Sequence, residues 1–311
     1  LRMILAQLYR LNTVGNFTTL SSPGLMSSAR FLGVDGYHEL FWSAAGWTLM
    51  WLALFYVFCV SFPHWSKMVE PSSKEHENDR YWSSRELFGL VHAMIISALS
   101  LPPLFLFLFD SDERVKFASS PHLATCKVDR RDVDLLDWEL TMQAISLAGL
   151  AFTTFTLADL VVLSLHGMAT LDYIVHHVAF VSAGLILRGN CMLPFNAAVL
   201  MAMEVSTPFL NWVTFFRHRG EQYENQVIGA GVMFFLTFLV FRLGLNIYGT
   251  VLLVLDQARG LAMPERVPMW QQVLVILAII AGVVVQGRQN ALTRTSCTYF
   301  STGCRGYGKS L

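Results

Sequence analysis

Residues 155–180 read FTLADLVVLSLHGMATLDYIVHHVAF. Two runs fit for hydrocarbon carry an aspartate, Asp159, and two adjacent histidines, His176 and His177. A polar group without a partner in a lipid interior costs several kcal/mol. These side chains are therefore expected to find partners within a bundle of helices rather than to face lipid.

The rest of the chain agrees with that class. Of its 311 residues 54% are hydrophobic and 14% charged, against about 25% charged in an ordinary soluble domain. The mean hydropathy is +0.48. Net charge is zero and there is no basic tract, which argues against nucleic acid as a partner. Five scattered cysteines without a CxxC spacing form neither a disulfide framework nor a metal site. No cofactor is expected.

A helix needs about 20 mostly apolar residues to cross the bilayer core. Seven stretches qualify or nearly so, at roughly 41–62, 87–109, 141–165, 173–187, 191–216, 227–255 and 270–287. The fourth is short, and only Arg188–Asn190 separates it from the fifth, so the pair reads as a tight helical hairpin. The fold class is all-α: a multi-pass bundle of about seven spans over 41–290, with an N-terminal segment 1–40 and a polar tail 291–311.

Loop charge sets the orientation. The 63–86 connection carries Lys67, Lys74, Arg80 and Arg85, and the tail carries Arg288, Arg294, Arg305 and Lys309, while the 110–140 loop opposite is more acidic. Tail and first loop are thus expected in the cytosol. The sequon at Asn16 then makes that residue a glycosylation candidate on the lumenal side.

Ionisable groups inside spans are functional hypotheses by default. They are His92, Asp159, His176, His177, Glu204 and Arg242, joined by the amide of Asn211. From the helix rise, His92, Asp159, His176 and Asn211 fall about 5–10 Å from the cytosolic end of their spans, with Glu204 and Arg242 deeper. Glu204, Pro208 and Asn211 share one helix face. Of two adjacent histidines, one can face a pocket while the other bonds a neighbouring helix, because they point about 100° apart. A common polar pocket lined by His92, Glu204, Asn211 and Arg242 is expected, with Arg242 a partner for Glu204 or Asp159. An imidazole there can serve as base or nucleophile. That makes His176 or His177 the catalytic candidate, with Asp159 orienting it.

These residues also carry a family resemblance. The stretches YWSSRELFGLVHAMI, FTLADLVVLSLHGMATLDYIVHHVAF, MEVSTPFLNWVTFF and FLVFRLGLNIYG resemble the TLC domain over about residues 80–290. This is the membrane domain of ceramide synthases, translocon-associated membrane proteins and lipid-homeostasis proteins. Ceramide synthases follow the His-His pair with a His-Asp-x-x-Asp run. The corresponding positions here are Asn196, Ala197 and Leu200, so the chain is similar to the branch that is not ceramide synthase.

The resemblance implies a protein of the endoplasmic reticulum, acting in membrane lipid homeostasis by binding or sensing a lipid. The alternatives are an acyltransferase using acyl-CoA and a sphingoid base, and a secretory-pathway receptor with protein cargo. The tail stretch GCRGYGKS, residues 303–310, matches a phosphate-loop pattern. That motif needs a following helix to hold phosphate, so it is read as a chance match.

Overall fold

The computed structural model describes residues 37–70, 79–109, 136–190, 193–217 and 219–258, with 270, 273 and 277 beside them. All regular structure among these residues is helical. The helices are α1 (Tyr37–Trp65), α2 (Asp79–Phe109), α3 (Leu136–Leu165), α4 (Leu171–Asn190), α5 (Pro194–Ala202), α6 (Thr207–Phe216), α7 (Glu224–Thr237) and α8 (Leu245–Ala258).

A 3-10 turn over Met203–Ser206 joins α5 to α6, and π turns over Phe238–Gly244 join α7 to α8. Each of these pairs therefore makes one span. Five helical segments are long and apolar enough to cross a membrane: Phe41–Val69, Asp79–Phe109, Ala144–Leu165, Pro194–Phe216 and Glu221–Leu255. The fourth expected span is the shorter apolar helix Tyr173–Leu187. The seventh, at 270–287, lies outside the described residues apart from three positions, as do Asn16 and most of the 110–140 loop.

Helix α3 is the centre, packed against α1, α2, α4 and α5. Its small residues Ala148, Ala151 and Ala158 are fully buried, which lets neighbouring backbones approach closely without a hydrophobic driving force between them. Trp51, Phe55, Phe88, Ile96 and Leu104 fill the space between α1, α2 and α3. The Glu221–Leu255 span is peripheral, with only 6% of its most apolar window buried. Ile228, Val232, Phe235, Leu236 and Val251 on it are exposed among the described residues, an apolar surface suited to lipid.

Two expectations are corrected. The 63–86 region is not a loop throughout, because α2 begins at Asp79. Arg85 therefore sits in the second turn of a span and points inward. The expected tight hairpin also fails: the connection is short, but α4 packs on α3 while α5 packs on α2, α3 and α8.

One end of the bundle is held by Arg219, 1% exposed. It donates to the Asp79 carboxylate at 2.9 Å, to the carbonyls of Phe215 and Val69 at 2.9 and 3.3 Å, and to the Ser83 hydroxyl. The ends of α1 and α6 and the start of α2 thus share a side, as the loop order requires.

Close packing joins α3 to α4 at Gly184. A Cβ there would overlap Thr153 Oγ1 and lie 3.2 Å from Thr153 Cβ. Gly184→Ala is expected to cost about 1–3 kcal/mol, the usual penalty of overpacking. Adding Thr153→Ala, which removes the overlapping hydroxyl, should recover most of it. Unfolding of both variants in detergent checks this.

Candidate functional site

A cavity of about 150 Å³ opens between α2, α3, α4 and the broken α5–α6 span. Helix α2 contributes Arg85, Glu86, Gly89 and His92, and α3 contributes Phe152, Phe155, Thr156 and Asp159. His176, His177 and Phe180 come from α4, and Glu204, Thr207 and Asn211 from the broken span. Six of the seven polar residues singled out in the sequence therefore line one space.

Its polar wall is organised around Asp159, 3% exposed. Arg85 meets it with two parallel bonds, Nε to Oδ1 at 2.8 Å and Nη2 to Oδ2 at 2.9 Å. The geometry is the two-pronged match of guanidinium and carboxylate that makes such pairs strong. His177 Nε2 lies 2.9 Å from Asp159 Oδ2, and its Nδ1 lies 2.8 Å from the Tyr173 carbonyl oxygen. A carbonyl and a carboxylate can only accept, so this ring satisfies both partners only with hydrogen on both nitrogens. Glu86 closes the group, 3.6 Å from Arg85 Nη1, and Asn211 donates to the Glu86 backbone carbonyl at 3.3 Å.

The other lining groups are held by rings rather than by bonds. His92, 3% exposed, stacks on Phe155 with centroids 3.6 Å apart and planes 9° from parallel. Its Nε2 is buried and has no hydrogen-bond partner among the described residues. His176 packs on Phe180, 4.5 Å between centroids, and edge-on to His177 at 5.6 Å. Among the described residues its two ring nitrogens make no hydrogen bond, and the Glu204 carboxylate has neither a hydrogen bond nor a counter-ion.

This sorts the two histidines chemically. His177 commits both nitrogens to the protein, so it has no lone pair for attack or proton abstraction. Of the two, His176 alone has ring nitrogens without a hydrogen bond among the described residues. Of the two histidines that Asp159 was expected to orient, the one it bonds is His177, and it makes no bond to His176.

Arg242 departs from expectation in another way. It does not line the cavity and meets no carboxylate among the described residues; its Nε donates to the Met203 carbonyl at 3.2 Å and its Nη2 to the Thr207 hydroxyl at 2.7 Å. The partner of Asp159 is Arg85, which loop reading had assigned to the cytosol. The signal was present: a buried aspartate demands a cation, and Arg85 lies one turn before the apolar run of α2. No group of three or more His, Cys, Asp or Glu side chains among the described residues has the geometry to hold a metal ion.

Five long apolar helical segments, and a family match, define an integral membrane protein. The sequence model of the TLC-domain family matches residues 37–287, well over half the chain, and the chain belongs to that family. Neither curated proteins nor solved structures returned a match.

Breaking the central pair from one side should be costly. Arg85→Leu leaves Asp159 short of its main counter-charge and is expected to lose about 3–5 kcal/mol. The double variant Arg85→Leu/Asp159→Leu should lose clearly less than the sum of the two single changes. A thermal or denaturant cycle on the purified protein measures the coupling.

Proposed function

We propose that the protein acts in membrane lipid homeostasis, at the endoplasmic reticulum, by holding the polar end of a membrane lipid in this cavity. The observation that carries the reading is the set of polar atoms left without protein partners among the described residues. Glu204, His176 and His92, whose carboxylate, ring nitrogens and Nε2 lack such partners, all line one space. Buried polar atoms are nearly always paired in a native protein. His92 Nε2 is such an exception, and the half-buried Glu204 and the more exposed His176 line the same cavity without a hydrogen bond among the described residues, which together support a ligand that supplies the partners.

Size narrows the reading. A cavity of about 150 Å³ holds a group of about six heavy atoms, the size of benzene. That admits a headgroup but not a whole lipid, so the chains lie outside, along apolar helix faces.

A second reading, an acyltransferase using acyl-CoA and a sphingoid base, is favoured by His176. Its free nitrogens could take an acyl group from the thioester, releasing the thiol, and pass it to an amine that gives up a proton. Glu204 would favour that amine by its charge. A third reading, a cargo receptor, would place its partner on exposed loops such as 110–140, which lies outside the described residues except for 136–140.

Native mass spectrometry of the detergent-purified protein separates these. A binder retains about one lipid per chain when His176 becomes alanine. It loses that lipid in Gly89→Leu, because a Cβ at Gly89 already stands 2.9 Å from Asn211 Nδ2 and the longer side chain fills the cavity. An enzyme gains one acyl mass on incubation with acyl-CoA, and His176→Ala abolishes the gain. A protein with no bound lipid and no acyl adduct would remove both readings.

A further inference from the structure

Arg242 sits within an apolar span, yet no carboxylate among the described residues explains it. Backbone bookkeeping does. Pro208 has no N–H, so the Glu204 carbonyl, four residues earlier, lacks its α-helical donor. The Thr207 N–H bonds to Glu204 O instead, which closes a 3-10 turn. That shift takes the Thr207 N–H away from the Met203 carbonyl, its ordinary α-helical acceptor.

The Met203 carbonyl accepts from the Ser206 hydroxyl at 3.0 Å and from Arg242 Nε at 3.2 Å. The other arm of the guanidinium reaches the Thr207 hydroxyl on the far side of the break. Arg242 itself lies in a widened stretch, where the Leu245 N–H reaches back five residues to Val240 O. At Gly244 a Cβ would press on the Leu239 carbonyl oxygen at 3.2 Å, so glycine suits the wide turn. Two irregular segments thus pack against each other. Irregular turns of this kind gather at functional sites.

We propose that Arg242 is a positioning residue. It gives the Met203 carbonyl a donor where the proline break diverts the Thr207 N–H, holds the broken span in its register, and so aims Glu204, Thr207 and Asn211 into the cavity. The consequence for ligand binding rests on the cavity being a lipid-headgroup site; the bonding role does not.

A mutant cycle tests the bonding role. Arg242→Met should lower the thermal midpoint in detergent by roughly 5 °C, since it removes two side-chain hydrogen bonds, to the Met203 carbonyl and the Thr207 hydroxyl. In a Pro208→Ala background, where residue 208 again supplies an N–H, the same change should cost less than about 2 °C. Equal losses in both backgrounds would overturn the proposal. So would a loss that disappears in a Glu204→Gln background, because that outcome makes Arg242 a counter-ion. If Arg242→Met does not fold, Arg242→Lys, which keeps a single donor point, runs through the same backgrounds.

The lipid count is a separate readout. Pro208→Ala/Arg242→Met should keep its thermal midpoint and lose bound lipid, since a straightened helix turns Glu204 away. Retained lipid in that variant would overturn the aiming role. Coupled stability in a protein that never holds lipid would leave Arg242 as the cap and remove the headgroup reading instead.

Discussion

One carboxylate, shared between a guanidinium and an imidazole in an apolar interior, ties three helices together. Asp159 on α3 meets Arg85 from α2 and His177 from α4. Helix α4 packs on α3 and has no comparable contact with any other helix among the described residues. Its rotation about its own axis is therefore set by few features, of which the Asp159–His177 bond is the directional one. Desolvating two opposite charges is expensive, and only good geometry with further hydrogen bonds offsets it. Both oxygens of Asp159 are bonded here, and both nitrogens of His177 are matched by acceptors, so the junction is well satisfied.

That satisfaction gives the neighbouring polar atoms their meaning. Pairing Arg85, Asp159 and His177 with one another leaves His176, His92 Nε2 and the Glu204 carboxylate along the same space without hydrogen-bond partners among the described residues. The broken span opposite adds to this wall. Pro208 forces the 3-10 turn, and that turn lies where Glu204, Thr207 and Asn211 enter the cavity. Backbone irregularity is tolerated at membrane depth only when something re-satisfies the freed groups, and here part of that work falls to Arg242. The cavity and the helix defects are two sides of one arrangement.

Much of the site was legible from residue type and spacing. Ionisable groups are rare in spans, and His92, Asp159, His176, Asn211 and Glu204 each announced an inward face. The similar depths of His92, Asp159, His176 and Asn211, with Glu204 deeper, followed from the helix rise. Arg85 was missed because it stands at the polar margin of its span, where a basic residue ordinarily reads as a loop charge. Arg242 was given a carboxylate partner because charge pairing is the default for a buried cation. Its carbonyl-capping role depends on a backbone break in a different span. The hairpin expected at Arg188–Asn190 failed for a similar reason: a short connection limits how far apart two helix ends lie, and not whether the helices pack.

Composition and hydrophobic run length determined by themselves that this is an all-helical membrane protein, because a bilayer accepts few charges and requires every span to close its own hydrogen bonds. Residue order also determined that one of two adjacent histidines must turn away from the other's surroundings. Which one bonds Asp159, and which one is left to the cavity, was decided only by the tertiary structure. A helix can rotate to offer either face, and the choice is made by the position of a carboxylate on another helix, already gripped by an arginine from a third.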